Sequence, residues 1–456
     1  MQNIIFISLI KNSMEVLFTL IGIAKYFAIG AASIRIAHHK KMLTENLPLS
    51  LFTVYSFTAG VALTSGILTF GLFVNQLPLV TLFTWALAIA AILYMLFYER
   101  VFLSRLFFTN VPAKIVATIL YVVSVLSVST QAILANDARG IWMLKAKGIF
   151  LGYETFFAQL KNPIFTYTHQ DYPLSMPILY ADLMRPLGYF WEPAVGIFSM
   201  TVLFMIGLGL FWALTSFTSI KRPFALLFAL LLIGTPEYLR QGWVGLSDVP
   251  LSLAIFVSAS LLASSSTNTK TQLLAIAAGI FAATIKNEGQ PFLLLITLLA
   301  MWQIFQAHKL NKNSFKLYLP VIIGAGIFSL PLLAWKITTM RLGIENDVVG
   351  APLFSELLTR VPLLITEVMP RLLDGYRFGI LLVPAILLLL IPRKDQRRNI
   401  AQLLIAGQFT LYMLIYLITP HDMVWHISTS FSRLLLHLLP SIYLLTLLHR
   451  TNKSIV

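Results

Sequence analysis

Long apolar runs separated by short polar breaks organise this chain. The runs fall at 14–34, 50–74, 78–98, 113–133, 194–216, 223–237, 249–264, 270–285, 289–306, 317–337, 378–392, 399–419 and 434–449. Within them apolar residues follow one another without a period of two, so the runs read as helices and not as strands of a barrel. In lipid every backbone N–H and C=O needs a partner inside its own segment, and a helix supplies one. The pattern predicts an all-α polytopic membrane protein with about 11–13 transmembrane helices. The first run carries Lys25, and the runs at 223–237, 249–264, 270–285 and 378–392 are short for a bilayer. Three stretches follow: N-terminal helices over 1–112, a core over 113–345, and a C-terminal loop with helices over 346–456.

The first long polar segment is 134–193. Residues 141–157 have helical spacing, and Trp142, Lys145 and Lys147 suit an amphipathic helix lying on the membrane surface. A second apolar piece, 174–179, follows His169, Gln170, Asp171, Tyr172 and Pro173, so interfacial helices are expected in this loop. The residue before a proline is held extended, which makes Tyr172-Pro173 a fixed turn.

Composition agrees. The 456 residues are 58% hydrophobic and only 11% charged, with a mean hydropathy of +0.83, far from a soluble protein. The net charge of +15 suggests a nucleic-acid partner only until its distribution is counted. Eighteen lysines and arginines fall in the loops at 35–41, 100–114, 221–222, 270, 309–316, 393–398 and 450–453. The short loops of the opposite side hold four: Lys11, Arg240, Lys286 and Arg433. The first set is therefore expected to be cytoplasmic, with 134–193 and 338–377 outside and no nucleic-acid partner. There is no cysteine, which excludes disulfides and thiolate metal sites. The N-terminus is apolar from the first residue, without the basic region and small-residue cleavage site of a cleavable signal.

That orientation puts Asp137, Arg139, His169, Asp171, Tyr172, Arg240, Asp248, Lys286, Glu288, His421, Asp422, His426 and Arg433 on one face. Asp137 reads either as a polar cap ending the run at 113–133 or as a general base, since a low-dielectric neighbour disfavours the charged form of a carboxylate. Asp248, ahead of Val249-Pro250, reads first as a helix N-cap. Gly289 and Pro291 are ordinary turn residues, but the turn does not need Lys286 or Glu288, and a lysine there is suited to a phosphate. His421 and His426 stand five apart, the wrong spacing for two ligands on one helix face. Arg433 can pair with a phosphate or with Asp422. No phosphate-cradling glycine loop is present, so a substrate carried on a membrane lipid fits the chain better than a soluble nucleotide.

Taken together, Asn136-Asp137-x-Arg139, the His169-Gln-Asp171-Tyr172-Pro173 loop, Gly245-Leu-Ser-Asp248-Val-Pro250, Lys286-Asn-Glu288-Gly289 and His421-Asp-x-x-Trp425-His426…Arg433 resemble the GT-C superfamily of membrane glycosyltransferases. The likeness is to protein O-mannosyltransferases and aminoarabinose transferases, in a bacterial subgroup, and covers roughly 113–440. Many members carry an acidic pair where this chain has Asn136-Asp137. The resemblance implies an inverting transfer of sugar from a polyprenyl-phosphate donor to a glycan, lipid or protein acceptor, outside the bacterial plasma membrane. It implies Asp137 as base and Lys286 and Arg433 on the departing phosphate. It implies Asp248, His169 and Asp171 as positioning groups for the acceptor or a divalent ion, with metal dependence open. Two other readings compete: a transporter or lipid flippase, and an enzyme of the O-antigen ligase or polymerase type, which would use the arginines of 338–377. The ionisable residues lie at expected helix ends, which disfavours the transporter.

Overall fold

The computed structural model describes residues 2–39, 49–108, 111–264, 269–308, 315–345, 354–378, 382–390 and 396–448. Lys40, Lys41, Lys309, Lys312, Arg393, Lys394, Arg450 and Lys453, used above for orientation, lie outside them, as does part of the run at 378–392.

The described residues are 87% helical, with no strand among them. In order the helices are α1 (Gln2–His39), α2 (Leu49–Phe73), α3 (Leu77–Tyr98), α4 (Arg100–Phe108), α5 (Val111–Ser129), α6 (Leu144–Leu151), α7 (Tyr153–Lys161) and α8 (Ser175–Met184). There follow α9 (Pro193–Phe217), α10 (Arg222–Ile233), α11 (Pro236–Val244), α12 (Asp248–Ser264), α13 (Thr269–Ile285) and α14 (Gly289–His308). The last are α15 (Phe315–Arg341), α16 (Phe354–Leu372), α17 (Gly375–Phe378), α18 (Leu382–Leu390), α19 (Gln396–Ile418) and α20 (Met423–Leu447). Among the described residues six helices are long and apolar enough to cross a bilayer, and this is an integral membrane protein. The expected run at 223–237 is broken: α10 and α11 meet at 59° where Pro236 cannot continue the ladder. The runs at 249–264, 270–285 and 289–306 form shorter apolar helices.

Two compact units emerge. One comprises 1–170, 174–205 and 241–247. In it α1, α2, α3 and α8 pack together. Gly30 and Gly60 bring α1 and α2 into backbone contact, since a methyl at Gly60 would land on the Tyr26 carbonyl and one at Gly30 on the Ser56 carbonyl. Lys25 does not disqualify its run as a helix. Its ammonium is buried against Asp182 of α8 at 2.6 Å and lies 4.6 Å from the Trp85 ring centroid, while Tyr26 donates to the same carboxylate. At the far end of α1, Arg35 and His39 close on Glu99. Burial pushes the Glu99 carboxyl up, but those two partners outweigh it and hold it below the usual range.

Two expectations for the loop after α5 are corrected here. Helix α8 is not interfacial: every residue from Ser175 to Met184 is buried, because Asp182 has a cationic partner inside the unit. Lys145 does not face a membrane surface but is buried, its ammonium donating to the His169 carbonyl. Lys147, two residues on and on the opposite side of the helix, is exposed as expected.

The other unit comprises 171–173, 206–240 and 248–456. Its centre is α12, buried from Asp248 to Ala263 and packed by α13, α14, α19 and α20. A helix apolar on all sides needs neighbours on all sides. Its 17 residues span about 26 Å, just short of the hydrocarbon core.

Candidate functional site

Unpaired charge is costly in an apolar bundle, so the place where several ionisable groups meet is the natural candidate site. In the α12-centred unit that place is Asp248. It opens α12 and is fully buried. Its Oδ1 accepts from Lys286 Nζ at 2.9 Å and from His437 Nε2 at 2.8 Å, and its Oδ2 accepts from Arg433 Nε at 2.9 Å. The expected role as a helix cap is corrected: the carboxylate is taken up by three donors from two other segments.

Each partner is placed by a local rule. Lys286 and Glu288 sit in the turn between α13 and α14, closed by Gly289 N–H to the Lys286 carbonyl at 2.9 Å. Only glycine fits at 289, since a side chain there would strike the Ala282 backbone. The Lys286 ammonium also meets Glu288 Oε1 at 2.8 Å. Burial pushes the Glu288 carboxyl up, but the Lys286 ammonium overcomes this and holds it below the usual range. Arg433 and His437 are four apart on α20, which puts them on one face, one above the other. On α19, Tyr412 and Gln408 repeat the spacing. The Tyr412 hydroxyl lies 3.0 Å from His437 Nδ1, and the Gln408 amide donates to the Glu288 carbonyl at 3.0 Å. With its proton on Nε2, a neutral His437 donates to Asp248 and accepts from Tyr412. The core of the site then carries two fixed cations and two carboxylates.

Asp171 and Tyr172 adjoin it. Asn287, next to Lys286, donates to Asp171 Oδ2, and Trp335 Nε1 donates to the Asp171 carbonyl at 3.0 Å. Lys336 and Gln290 donate to the Asn287 side-chain Oδ1 at 3.3 and 2.7 Å. The Tyr172 ring centroid lies 5.9 Å from Lys286 Nζ.

Of the residues expected from sequence, Asp171, Tyr172, Asp248, Lys286, Glu288 and Arg433 therefore come together. His437, Tyr412, Asn287 and Gln408 were not foreseen, and the first two looked like ordinary polar residues of apolar helices. His421, Asp422 and His426 form a knot at the start of α20: Asp422 caps the helix by accepting from Trp425 N–H at 2.8 Å, and His426 Nδ1 lies 2.9 Å from the Thr419 hydroxyl. Asp422 does not serve as the partner of Arg433, which binds Asp248 instead. Arg240 pairs one turn away with Glu237 at 2.6 Å.

Asp137, Arg139 and His169 belong to the unit built on α1 to α8. Asp137 does not end a membrane span. Helix α5 stops at Ser129, and Asp137 stands half-buried at the start of the π-helical turn Ala138–Met143. Arg139 pairs with Glu192 at 3.0 Å, and His169 has the left-handed φ of 47° that presents its carbonyl to Lys145. The expectation that ionisable groups keep to helix ends is also corrected, since Lys25 and His437 lie well inside α1 and α20. Among the described residues no three His, Asp or Glu side chains assemble as a metal-binding set. Compared with known protein families, with characterised proteins and with solved structures, the chain matches none.

Proposed function

We propose that this protein transfers a sugar from a polyprenyl-phosphate donor to an acceptor hydroxyl, with inversion, on the extracytoplasmic side of a bacterial inner membrane. The observation that carries the reading is the meeting of Lys286 and Arg433 at one buried carboxylate in an apolar helical unit. A departing lipid phosphate gains negative charge where water is scarce, and two cations already held in place stabilise that charge without reorganising. Phosphate oxygens compete with Asp248 for Lys286 and Arg433, while His437 keeps Asp248 partnered. Tyr172 lies beside the same lysine, Asp171 is held by the neighbouring Asn287, and both suit the sugar side of the donor.

In the reaction the acceptor oxygen bonds to the anomeric carbon, the carbon–oxygen bond to phosphate breaks, and its electron pair leaves with the phosphate. The proton of the acceptor hydroxyl goes to a base, which the sequence nominates as Asp137. The GT-C-like arrangement with 11–13 membrane crossings belongs to this proposal.

The test is to incubate the purified protein with a panel of polyprenyl-phosphate sugars and follow release of free lipid phosphate. One donor should be turned over. Lys286→Ala should weaken it by about 2.7–4 kcal/mol of transition-state stabilisation, as for one lost oxyanion donor, and Asp137→Asn should abolish transfer while donor binding persists. No release from any donor, or full turnover by Lys286→Ala, would refute the reading. A second reading rests on His437, since a histidine held between Asp248 and Tyr412 inside a helix suits a proton relay of a transporter. Proton-coupled uptake into proteoliposomes, with no lipid phosphate released, would favour it.

A further inference from the structure

Helices α6 and α7 fold into a short hairpin. Gly152 joins them with a φ of 129°, which a side chain would strain. Gly148 lets the second helix approach, since a methyl there would meet the Gln159 side chain. Between the two helices and the 3-10 turn Pro163–Thr168 runs an open groove of about 380 Å³, within the range of small-molecule sites.

On α6 it is lined by Leu144, Lys147 and Leu151, which share one helix face, and across from them by Gln159, Asn162 and Phe165. Lys147 is the only charged lining residue, exposed and in no ion pair among the described residues. The Asn162 side-chain oxygen already accepts from Ile164 N–H at 3.0 Å, which leaves its NH₂ to donate elsewhere. The segment also presents three large apolar side chains outward: Leu151 is 59% exposed, Ile164 73% and Tyr167 62%. In a membrane protein such a face marks the headgroup–acyl boundary.

We propose that this groove holds the headgroup of an anionic phospholipid, its phosphate on Lys147 and the Asn162 and Gln159 amides, its first acyl carbons against Leu144 and Leu151. The charge is complementary, and Leu144, Leu151 and Phe165 offer an apolar surface beside the lysine for the first acyl carbons. A free phosphate ion would use the lysine and leave the apolar lining residues idle. The site does not depend on the transfer reaction.

The protein is reconstituted in phosphatidylcholine nanodiscs holding a minority of phosphatidylglycerol, released into neutral detergent, and weighed by native mass spectrometry. Wild-type protein should retain phosphatidylglycerol in preference to phosphatidylcholine. Lys147→Gln should lower that retention about tenfold, the loss of one charged hydrogen bond. Ala158→Trp, which fills the groove from an exposed position without touching its charge, should do the same. Lys161→Gln, an exposed lysine of α7 outside the lining, should not. Wild-type retention by either groove variant would overturn the proposal. So would an equal loss in Lys161→Gln, which would reduce the effect to surface charge. A titration with inorganic phosphate separates the sources: Lys147-dependent binding of the free ion with no lipid preference would replace the lipid by a soluble anion.

Discussion

Asp248 accepts three hydrogen bonds at a position closed to solvent, and its loss takes a carboxylate partner from the buried Lys286 and from the partly buried Arg433. Breaking a buried charge cluster from one side leaves uncompensated charge, which costs about 3–5 kcal/mol. Asp248→Ala should lower unfolding stability in mixed micelles by that order. Adding Arg433→Met should recover part of it, because a cation that has lost its Asp248 carboxylate is then removed; a double variant no more stable than the single would mean the three groups do not act as a unit. Glu288 supplies a pH test. Its folded carboxyl is held below the ordinary 4.5 by Lys286 against the push of burial, so it stabilises the fold above that value and loses the contribution as pH falls through the folded value. Glu288→Gln should flatten the acid limb of the stability profile; an unchanged limb would show that the pairing with Lys286 is lost or matched in the unfolded chain. Lys286, Glu288 and Arg433 were legible in the sequence because charge is scarce in this chain and a turn has no use for it. His437 was not, since a single histidine in an apolar run looks like a core residue. The available signal was its spacing of four from Arg433, echoed by Gln408 and Tyr412 on the neighbouring helix.

Helices followed their apolar runs closely, because in lipid a run of that length has one way to satisfy its backbone. The failures at this scale were helices whose environment comes from far along the chain. The apolar piece at 174–179 was expected to be interfacial, yet α8 is buried and its Asp182 is neutralised by Lys25, 157 residues away, and no local pattern announces such a partner. The bend between α10 and α11 was carried by Pro236, which was visible in the sequence, within a run that composition alone had joined. Close approach of α1 and α2 is likewise written in two glycines, though nothing in one helix says which glycine meets the other. Gly60→Ala should force these backbones apart and lower the melting temperature of the protein clearly. Gly326→Ala on α15, where a methyl meets nothing within 4 Å, should leave it unchanged or raise it, since alanine is the better helix former by about 1 kcal/mol. Equal effects from the two would mean that the α1–α2 contact adds no stability.

Which end of each helix faces the cytoplasm is a property of the whole molecule, and it rests on where the charges lie, not on any contact between helices. The lysine and arginine count predicts that the α2–α3 turn lies outside and the start of α4 inside. A lysine or arginine left on the wrong side opposes insertion, so eighteen against four is a strong bias even though several of those residues carry no other information. The absence of cysteine makes the orientation directly measurable, because any introduced thiol is the only one. Asn75→Cys in the exposed α2–α3 turn and Lys161→Cys on α7 should react with an impermeant maleimide applied to intact spheroplasts. Arg100→Cys, just past the other end of the 22-residue α3, should react only after permeabilisation. Labelling of Asn75→Cys and Arg100→Cys from the same side would mean that α3 does not cross the bilayer. A clean reversal would put Asp137 and the Lys286 turn in the cytoplasm, where a donor presented to the outer leaflet could not reach them, and the proposed transfer would fall with the orientation.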